Sequence, residues 1–353
     1  MIFQKQLQES LNKILKLSQK KRKFSGFTIG NTSKIDNKNY YFSPLRDTEK
    51  IVFSGIVLYS EHLAKIVAKY VDGKVDYVLV DAEKKISPKI NRIANYWEPA
   101  NIERRVREIL KISKLWIYKG NDLAVDAVDI LITFLTNNDV RGIGGKKITI
   151  IGAGNIGSKL ALYMVERGGK VYLAGRNNKN LKQIVKTINI IKPAHTYESA
   201  HAVQNNYKAA NSADVLIGCT NGIPVITKNM IKSLKENAVI IDVGKGTVHK
   251  DAALFAEKND IPIYRVDITA AFEGFVKKSF IIEKMIKKKI GKKVILGERI
   301  VSGGLLASLG DFVVDDINHP KNIYGISNGK GDFIRNLNKK QKAKIVKMSK
   351  LLI

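Results

Sequence analysis

Gly152-Ala153-Gly154-Asn155-Ile156-Gly157 is the run of residue types in this chain with the clearest chemistry. Glycines at its first, third and sixth positions serve a phosphate group when a strand feeds them and a helix leaves them. Gly152 permits a tight turn. Gly154 has no Cβ, so backbone can approach a pyrophosphate, and Gly157 lets a helix pack close to a sheet. The first helical turn, from Asn155 and Ile156 onward, then offers free N–H groups and the positive end of its dipole. The flanks meet the requirement. Ile148 to Ile151 is a β-branched run that predicts a buried strand, and Ile156, Leu160 and Met164, with Ala161 and Val165 beside them, predict an amphipathic helix. Gly168-Gly169 ends that helix, and Lys170 to Ala174 predicts the next strand. Together they predict a dinucleotide-binding unit.

The end of that second strand selects the nucleotide. A site for NAD usually carries an acid there for the ribose 2′-hydroxyl. Here the strand ends Ala174-Gly175-Arg176-Asn177-Asn178-Lys179, with no acid. Arg176 offers a planar fork of donors to a 2′-phosphate, Asn177 lies beside it, and Lys179 adds positive field. The expectation is NADP rather than NAD.

Ligands of open α/β sheets sit beyond the C-terminal strand ends. Two further stretches fall there. Cys219-Thr220-Asn221-Gly222 follows a strand from Ala213, with Thr220 and Asn221 placed to hold a nicotinamide ribose or carboxamide. Cys219 reads as a small buried hydrophobe rather than a nucleophile. Gly244-Lys245-Gly246 follows the strand Ala238–Asp242. Lys245, between two glycines, reads either as a group that binds a substrate carboxylate or gives a proton, or as a solvated loop lysine. The five histidines show no metal-ligand spacing with cysteines or acids, so no metal is predicted.

The elements that must position these groups alternate strand and helix, which predicts an α/β fold built on a doubly wound, Rossmann-type sheet. Residues 1–24 form a basic amphipathic segment, a helix either packed on the fold or lying at a membrane surface. Residues 25–120 predict a separate α/β unit: strand Ile51–Tyr59, helix Glu61–Val71 with Leu63, Ile66, Val67 and Tyr70 inward, strand Val75–Val80, and mostly helix over Lys89–Lys114. Pro44 marks a loop. The expected boundaries are an N-terminal domain 1–122, a crossover helix and linker 123–145, the dinucleotide domain 146–270, and a helical segment 271–353. That last segment is expected to pack back on the first domain and close a cleft. Within it, Ile300 to Asp311 reads as a glycine-bearing turn into a short helix.

At 353 residues the chain has room for two cores. One cysteine excludes an internal disulfide and fits a reducing, cytoplasmic compartment. No apolar run approaches the ~20 residues of a membrane span. The net charge of +29 favours anionic partners, but the excess is spread along the chain without an aromatic-interleaved basic motif. A small anionic substrate is expected rather than nucleic acid, and a homo-oligomer is compatible.

Three stretches resemble known enzymes. Ala213 to Gly222, Pro224 to Thr227 and Ala238 to Gly244 are similar to the second half of methylenetetrahydrofolate dehydrogenases and glutamyl-tRNA reductases. Lys119-Gly120-Asn121-Asp122 resembles the domain junction of shikimate dehydrogenase, and Ala174-Gly175-Arg176 its NADP-reading turn. The resemblance implies an N-terminal substrate domain, an NADP-binding Rossmann domain and a cleft between them. It implies a lysine–aspartate pair, for which Lys84 or Lys85 with Asp122 are the candidates. Asp122 also reads as a helix N-cap. The departures are informative. The thiol nucleophile of glutamyl-tRNA reductases has no N-terminal counterpart here. Tyr70 and Lys74 have the spacing of the methylenetetrahydrofolate pair, but Asp72-Gly73 between them reads as a turn. The threonine of the shikimate junction is missing. The expected function is an NADP-dependent dehydrogenase or reductase acting on a small anionic carbonyl or imine. The alternatives are a non-catalytic NADP-binding regulatory or scaffold protein with a basic surface, and a pterin one-carbon dehydrogenase.

Overall fold

The structure is a computed structural model that describes residues 2–32, 40–86, 92, 93, 96, 97 and 100–352. Its contacts divide the chain into two compact units, Met1–Gly274 and Phe275–Ile353.

The first unit begins with α1 (Ile2–Lys21), whose Leu7, Leu11, Ile14 and Ser18 form one buried stripe. That stripe joins the core of the first sheet with Phe27, Ile29 and Ile56, so the basic N-terminal segment is a packed helix. Its lysines stay outside, as an amphipathic helix requires. The sheet follows from β1 (Phe24–Asn31), β2 (Tyr40–Asp47), β3 (Ile51–Leu58), β4 (Tyr77–Asp81) and β7 (Lys114–Tyr118), in the order β2-β3-β1-β4-β7. β3, β1, β4 and β7 are parallel, and β2 is antiparallel on the edge. Two-residue β5 (Arg92–Ile93) and β6 (Tyr96–Trp97) pair separately. Helices α1, α2 (Glu61–Val71) and α3 (Ile102–Ile109) cover one face of the sheet.

Several expectations change here. Pro44 lies inside β2 rather than in a loop, because an edge strand with an irregular register between Ser43 and Arg46 tolerates a missing donor. In α2 the fully buried face is Ala64, Val67, Ala68 and Val71, which turns Ile66 outward. The helix expected over Lys89–Lys114 contracts to Ile102–Ile109, since Asn101 caps its start and Lys114 already begins β7. Residues 89–91, 94, 95, 98 and 99 of that expectation lie outside the described residues.

Helix α4 (Gly120–Leu135) leads to the second sheet. Its strands are β8 (Lys147–Ile151), β9 (Lys170–Ala174), β10 (Ala200–Val203), β11 (Val215–Gly218), β12 (Val239–Asp242) and β13 (Ile263–Arg265). All are parallel, in the order β10-β9-β8-β11-β12-β13, the doubly wound arrangement that reverses at β8. Helices α5 (Asn155–Glu166), α6 (Asn178–Ile191), α7 (Asn206–Ala210), α8 (Lys228–Lys232) and α9 (Lys250–Lys258) connect them. Two apolar clusters line its two faces: Ile148, Ile150 and Leu160 belong to one, and Ile151, Leu216 and Ile240 to the other. Helix α10 (Thr269–Lys284) starts in this unit, and its Phe272 stacks on Phe53 of the first sheet at 4.6 Å between ring centroids.

The second unit is not a helical segment. After a π-helical turn, Met285–Lys289, it forms β14 (Lys292–Ile295), β15 (Glu298–Ser302), β16 (Phe312–Val314) and β17 (Ile323–Ile326), then α11 (Lys339–Leu352). They make a mixed four-stranded sheet over a core of Ile300, Phe312, Val314, Ile326 and Met348. Ile300 and Val301 bury β-branched side chains in β15, and Gly303-Gly304 follow as a turn, so no helix forms there.

Candidate functional site

Each glycine of the turn has a different reason to be glycine. Gly152 sits at φ +117°, and a Cβ there would lie 2.8 Å from the Cys219 carbonyl. A Cβ on Gly157 would come 1.9 Å from the Gly152 carbonyl oxygen. Around the Cβ position of Gly154 there is nothing within 4 Å. Gly154 is also the N-cap of α5, with no side chain bonded to the N–H groups there. The turn therefore holds itself together through Gly152 and Gly157 and leaves open space at Gly154, the requirement for a pyrophosphate.

That space is a cavity of about 800 Å³, lined among others by Gly152, Gly154, Arg176, Asn177, Cys219, Thr220 and Asn221. Asn177 caps α6 by accepting from the Asn180 N–H at 3.1 Å. Lys179 is exposed on the first turn of α6 and does not line the cavity. Thr220 Oγ1 donates to the Ile223 carbonyl at 2.6 Å, fixing the loop after β11. Cys219 packs against the sheet's core, and burial, with the Asp242 charge adding to it, pushes its thiol up to about 12. At pH 8 a thiol with that pKa holds about a thousandth of the thiolate of an ordinary cysteine. Iodoacetamide should thus leave Cys219 unmodified for as long as the protein stays folded and label it rapidly in urea, as read by intact mass. Rapid labelling of folded protein would contradict the buried assignment.

Lys245 stands at φ +56°, a left-handed conformation uncommon for a residue with a Cβ. Asp242 imposes it. Its carboxylate accepts from the Gly246 N–H at 2.8 Å and from the Thr247 hydroxyl at 2.7 Å, closing the loop over which Lys245 stands. Gly244 is required beside it, because a Cβ there would lie 1.7 Å from the Thr220 carbonyl oxygen. Asp267, past β13, is held below the usual carboxylate range by hydrogen bonds from Thr269 and, more weakly, by the charges of Arg46 and Lys245. Arg46 Nε in turn donates to Thr269 Oγ1 at 3.1 Å. Arg46 from the first sheet and Lys245 from the second thus both act on Asp267.

The lysine–aspartate pair differs from expectation. Asp122 is in the first turn of α4, whose N-cap is Lys119, so Asp122 is not the cap. It pairs with Lys119 at 2.5 Å and with Lys159 of α5, and not with Lys84 or Lys85. Burial would raise its carboxyl, but the hydrogen bonds from Lys119 and Lys159 outweigh burial and hold it low. Lys84 Nζ donates to the Ala82 carbonyl at 3.0 Å. Lys85 lies between Asp81 at 2.7 Å and Glu83 at 2.8 Å. Asp81, at the end of β4, also accepts from the Gly120 N–H, and Glu83 from the Asn121 N–H. Asn121 Nδ2 then reaches Asn155 Oδ1 at 3.2 Å. A polar chain therefore runs from Lys85 through Glu83 and Asn121 to the glycine turn.

Sequence reasoning missed Asp81, Glu83, Arg46 and Asp242. Asp81 and Asp242 carried a usable signal, an acid closing a predicted strand; Arg46 carried none. Among the described residues, no group of three or more His, Cys, Asp or Glu could hold a metal ion. No described helix is long and apolar enough to cross a membrane.

Residues 135–267 match the family model for shikimate / quinate 5-dehydrogenase. The segment thus belongs with the Rossmann-type dehydrogenase superfamily, without resolving to one member. A glutamyl-tRNA reductase from Thermosipho melanesiensis is 30% identical over 104 residues, which is 29% of this chain and 26% of that protein. This chain thus spans about a quarter of that relative. Among solved structures, a dipicolinate synthase from Bacillus halodurans is 12% identical, with 75% of this chain and 99% of that chain covered and a TM-score of 0.38. L-tryptophan dehydrogenase from Nostoc punctiforme is 11% identical, with 74% and 77% covered and a TM-score of 0.41.

Proposed function

We propose that this chain is an NADP-dependent oxidoreductase that moves hydride to or from a small anionic carbonyl or imine. The observation that carries the reading is the open position at Gly154 above a cavity that also holds Arg176, at a strand end with no acid. The N–H groups at the start of α5 would hold the pyrophosphate, Arg176 the 2′-phosphate, and Thr220 with Asn221 the nicotinamide ribose or carboxamide. When bound, the nicotinamide supplies or accepts the hydride.

The remaining work falls to the chain's own residues. Lys245 and Arg46 supply positive charge for a substrate carboxylate, and the Asp242 clamp fixes Lys245 in place. Lys85, oriented by Asp81 and Glu83, is the group proposed to move the proton of the reacting oxygen or nitrogen. Domain 1–122 is then the part that holds substrate.

Arg176→Ala should weaken NADPH about 10- to 100-fold and leave NADH nearly unchanged, the loss of charge-assisted bonds worth about 1.5–3 kcal/mol. An equal loss for both nucleotides would remove Arg176 from the 2′-phosphate. The substrate class is tested by NADPH oxidation at 340 nm over keto acids, enones, imines and their esters. Acids should be preferred, and Lys245→Met should erase the preference by raising KM about tenfold. A preference for the neutral esters would contradict the anionic assignment.

A further inference from the structure

The second unit lies beyond the segment that matches the dehydrogenase family, and the residues proposed for the reaction do not use it. It has an unusual surface. Ile281, Ile282 and Ile286 are exposed along the end of α10 and the π-helical turn, Ile286 to 63%. They alternate with lysines: from 281 to 296 there are Lys284, Lys287, Lys288, Lys289, Lys292 and Lys293 against one acid, Glu283. The loop after β15, 303–310, reads Gly-Gly-Leu-Leu-Ala-Ser-Leu-Gly and carries no charge. Its Leu306 and Leu309 are 79% and 71% exposed. The two features adjoin. Ser302 exchanges hydrogen bonds with Gly291, its N–H to the carbonyl at 3.0 Å and the Gly291 N–H to its hydroxyl at 2.8 Å.

We infer that this surface docks on an anionic phospholipid bilayer, with the leucine loop entering the headgroup region and the lysines facing lipid phosphates and carboxylates. Clustered exposed aliphatics need an apolar partner, and an uncharged glycine-flanked loop can enter one without burying a charge. Lysines alternating with isoleucines suit the interface, where apolar and anionic groups lie a few ångströms apart. A second copy of the chain fits less well, because it would bring two lysine clusters together. Nucleic acid fits less well too. The exposed groups are aliphatic rather than stacking rings, and of the unit's two arginines Arg299 is paired with Asp311.

The test is co-sedimentation of the full chain with phosphatidylcholine vesicles, with and without phosphatidylserine. The wild type should sediment only with the anionic vesicles, and less so at high salt. Leu306→Ser with Leu309→Ser should lower partitioning about a hundredfold, about tenfold for each leucine withdrawn from lipid. Lys287→Gln with Lys288→Gln should lower it about twentyfold. These side chains are exposed, so melting curves of the variants should match the wild type. The inference is overturned if the wild type ignores anionic vesicles or if the leucine variant sediments equally well. It is also overturned if the wild type is a dimer that the leucine variant breaks, or if it binds an RNA oligonucleotide more tightly than the vesicles.

Discussion

Gly154→Ala should cost about a hundredfold or more in NADPH affinity while leaving the melting temperature within about a degree of wild type. Its Cβ would enter empty space, so the folded chain has nothing to rearrange. That same space is where the pyrophosphate must approach backbone, and a methyl group there keeps phosphate oxygens from the N–H groups of α5. Gly157→Ala should behave in the opposite order. Its Cβ would meet the Gly152 carbonyl, which is backbone and cannot swing aside. Overpacking of that kind costs about 1–3 kcal/mol and lowers the melting temperature by roughly 3–10 °C. Thermal melts and nucleotide titration of both variants separate a ligand-facing glycine from a packing glycine. Equal behaviour of the two would mean that the turn is structural throughout.

Lys85→Met should lower kcat by about 10²–10³ with NADPH affinity unchanged, the usual effect of removing a proton-moving group. Lys84→Met should change turnover less than twofold. The two lysines are adjacent in sequence and differ in what they touch. Lys85 is enclosed by Asp81 and Glu83, one hydrogen bond away from the Asn121 that contacts the glycine turn. Lys84 bonds a backbone carbonyl and sits 3.9 Å from Glu103. If the effects are reversed, or if both variants lose activity equally, the orientation of Lys85 by Asp81 is not what the reaction uses.

The second sheet is legible in the sequence because its signals are local. A β-branched run, three spaced glycines and a helical stripe lie within about 30 residues and decide the fold together. The first sheet is harder. β1 carries Gly26 and Gly30 in its middle, and β2 carries Pro44, so neither resembles a strand by composition. Only pairing on both sides, by β3 and β4, makes β1 the central strand. In the second unit, β14 begins with two lysines and runs four residues, too short for alternation to register. The catalytic candidates follow the same rule. Resemblance points to Asp122 as the partner of Lys85, whereas the structure places that partner at Asp81, at the end of its own strand. Asp122 is occupied by Lys159, which no local pattern announces. Tyr118 carries no sequence signal either. It reaches across to Gly30, and burial, with the nearby Asp81 charge, raises its phenol well above the ordinary value, so it stays protonated at neutral pH.

Everything proposed for the reaction depends on the cavity at Gly154 holding a nicotinamide dinucleotide, with Arg176 choosing its phosphate. Calorimetric titration of NADPH and NADH into the purified chain measures this directly. Saturable binding of NADPH at one site, at least about tenfold tighter than NADH, is the predicted result. Tighter binding of NADH would overturn the role of Arg176. No heat with either nucleotide, from protein shown to be folded, would contradict the oxidoreductase reading itself.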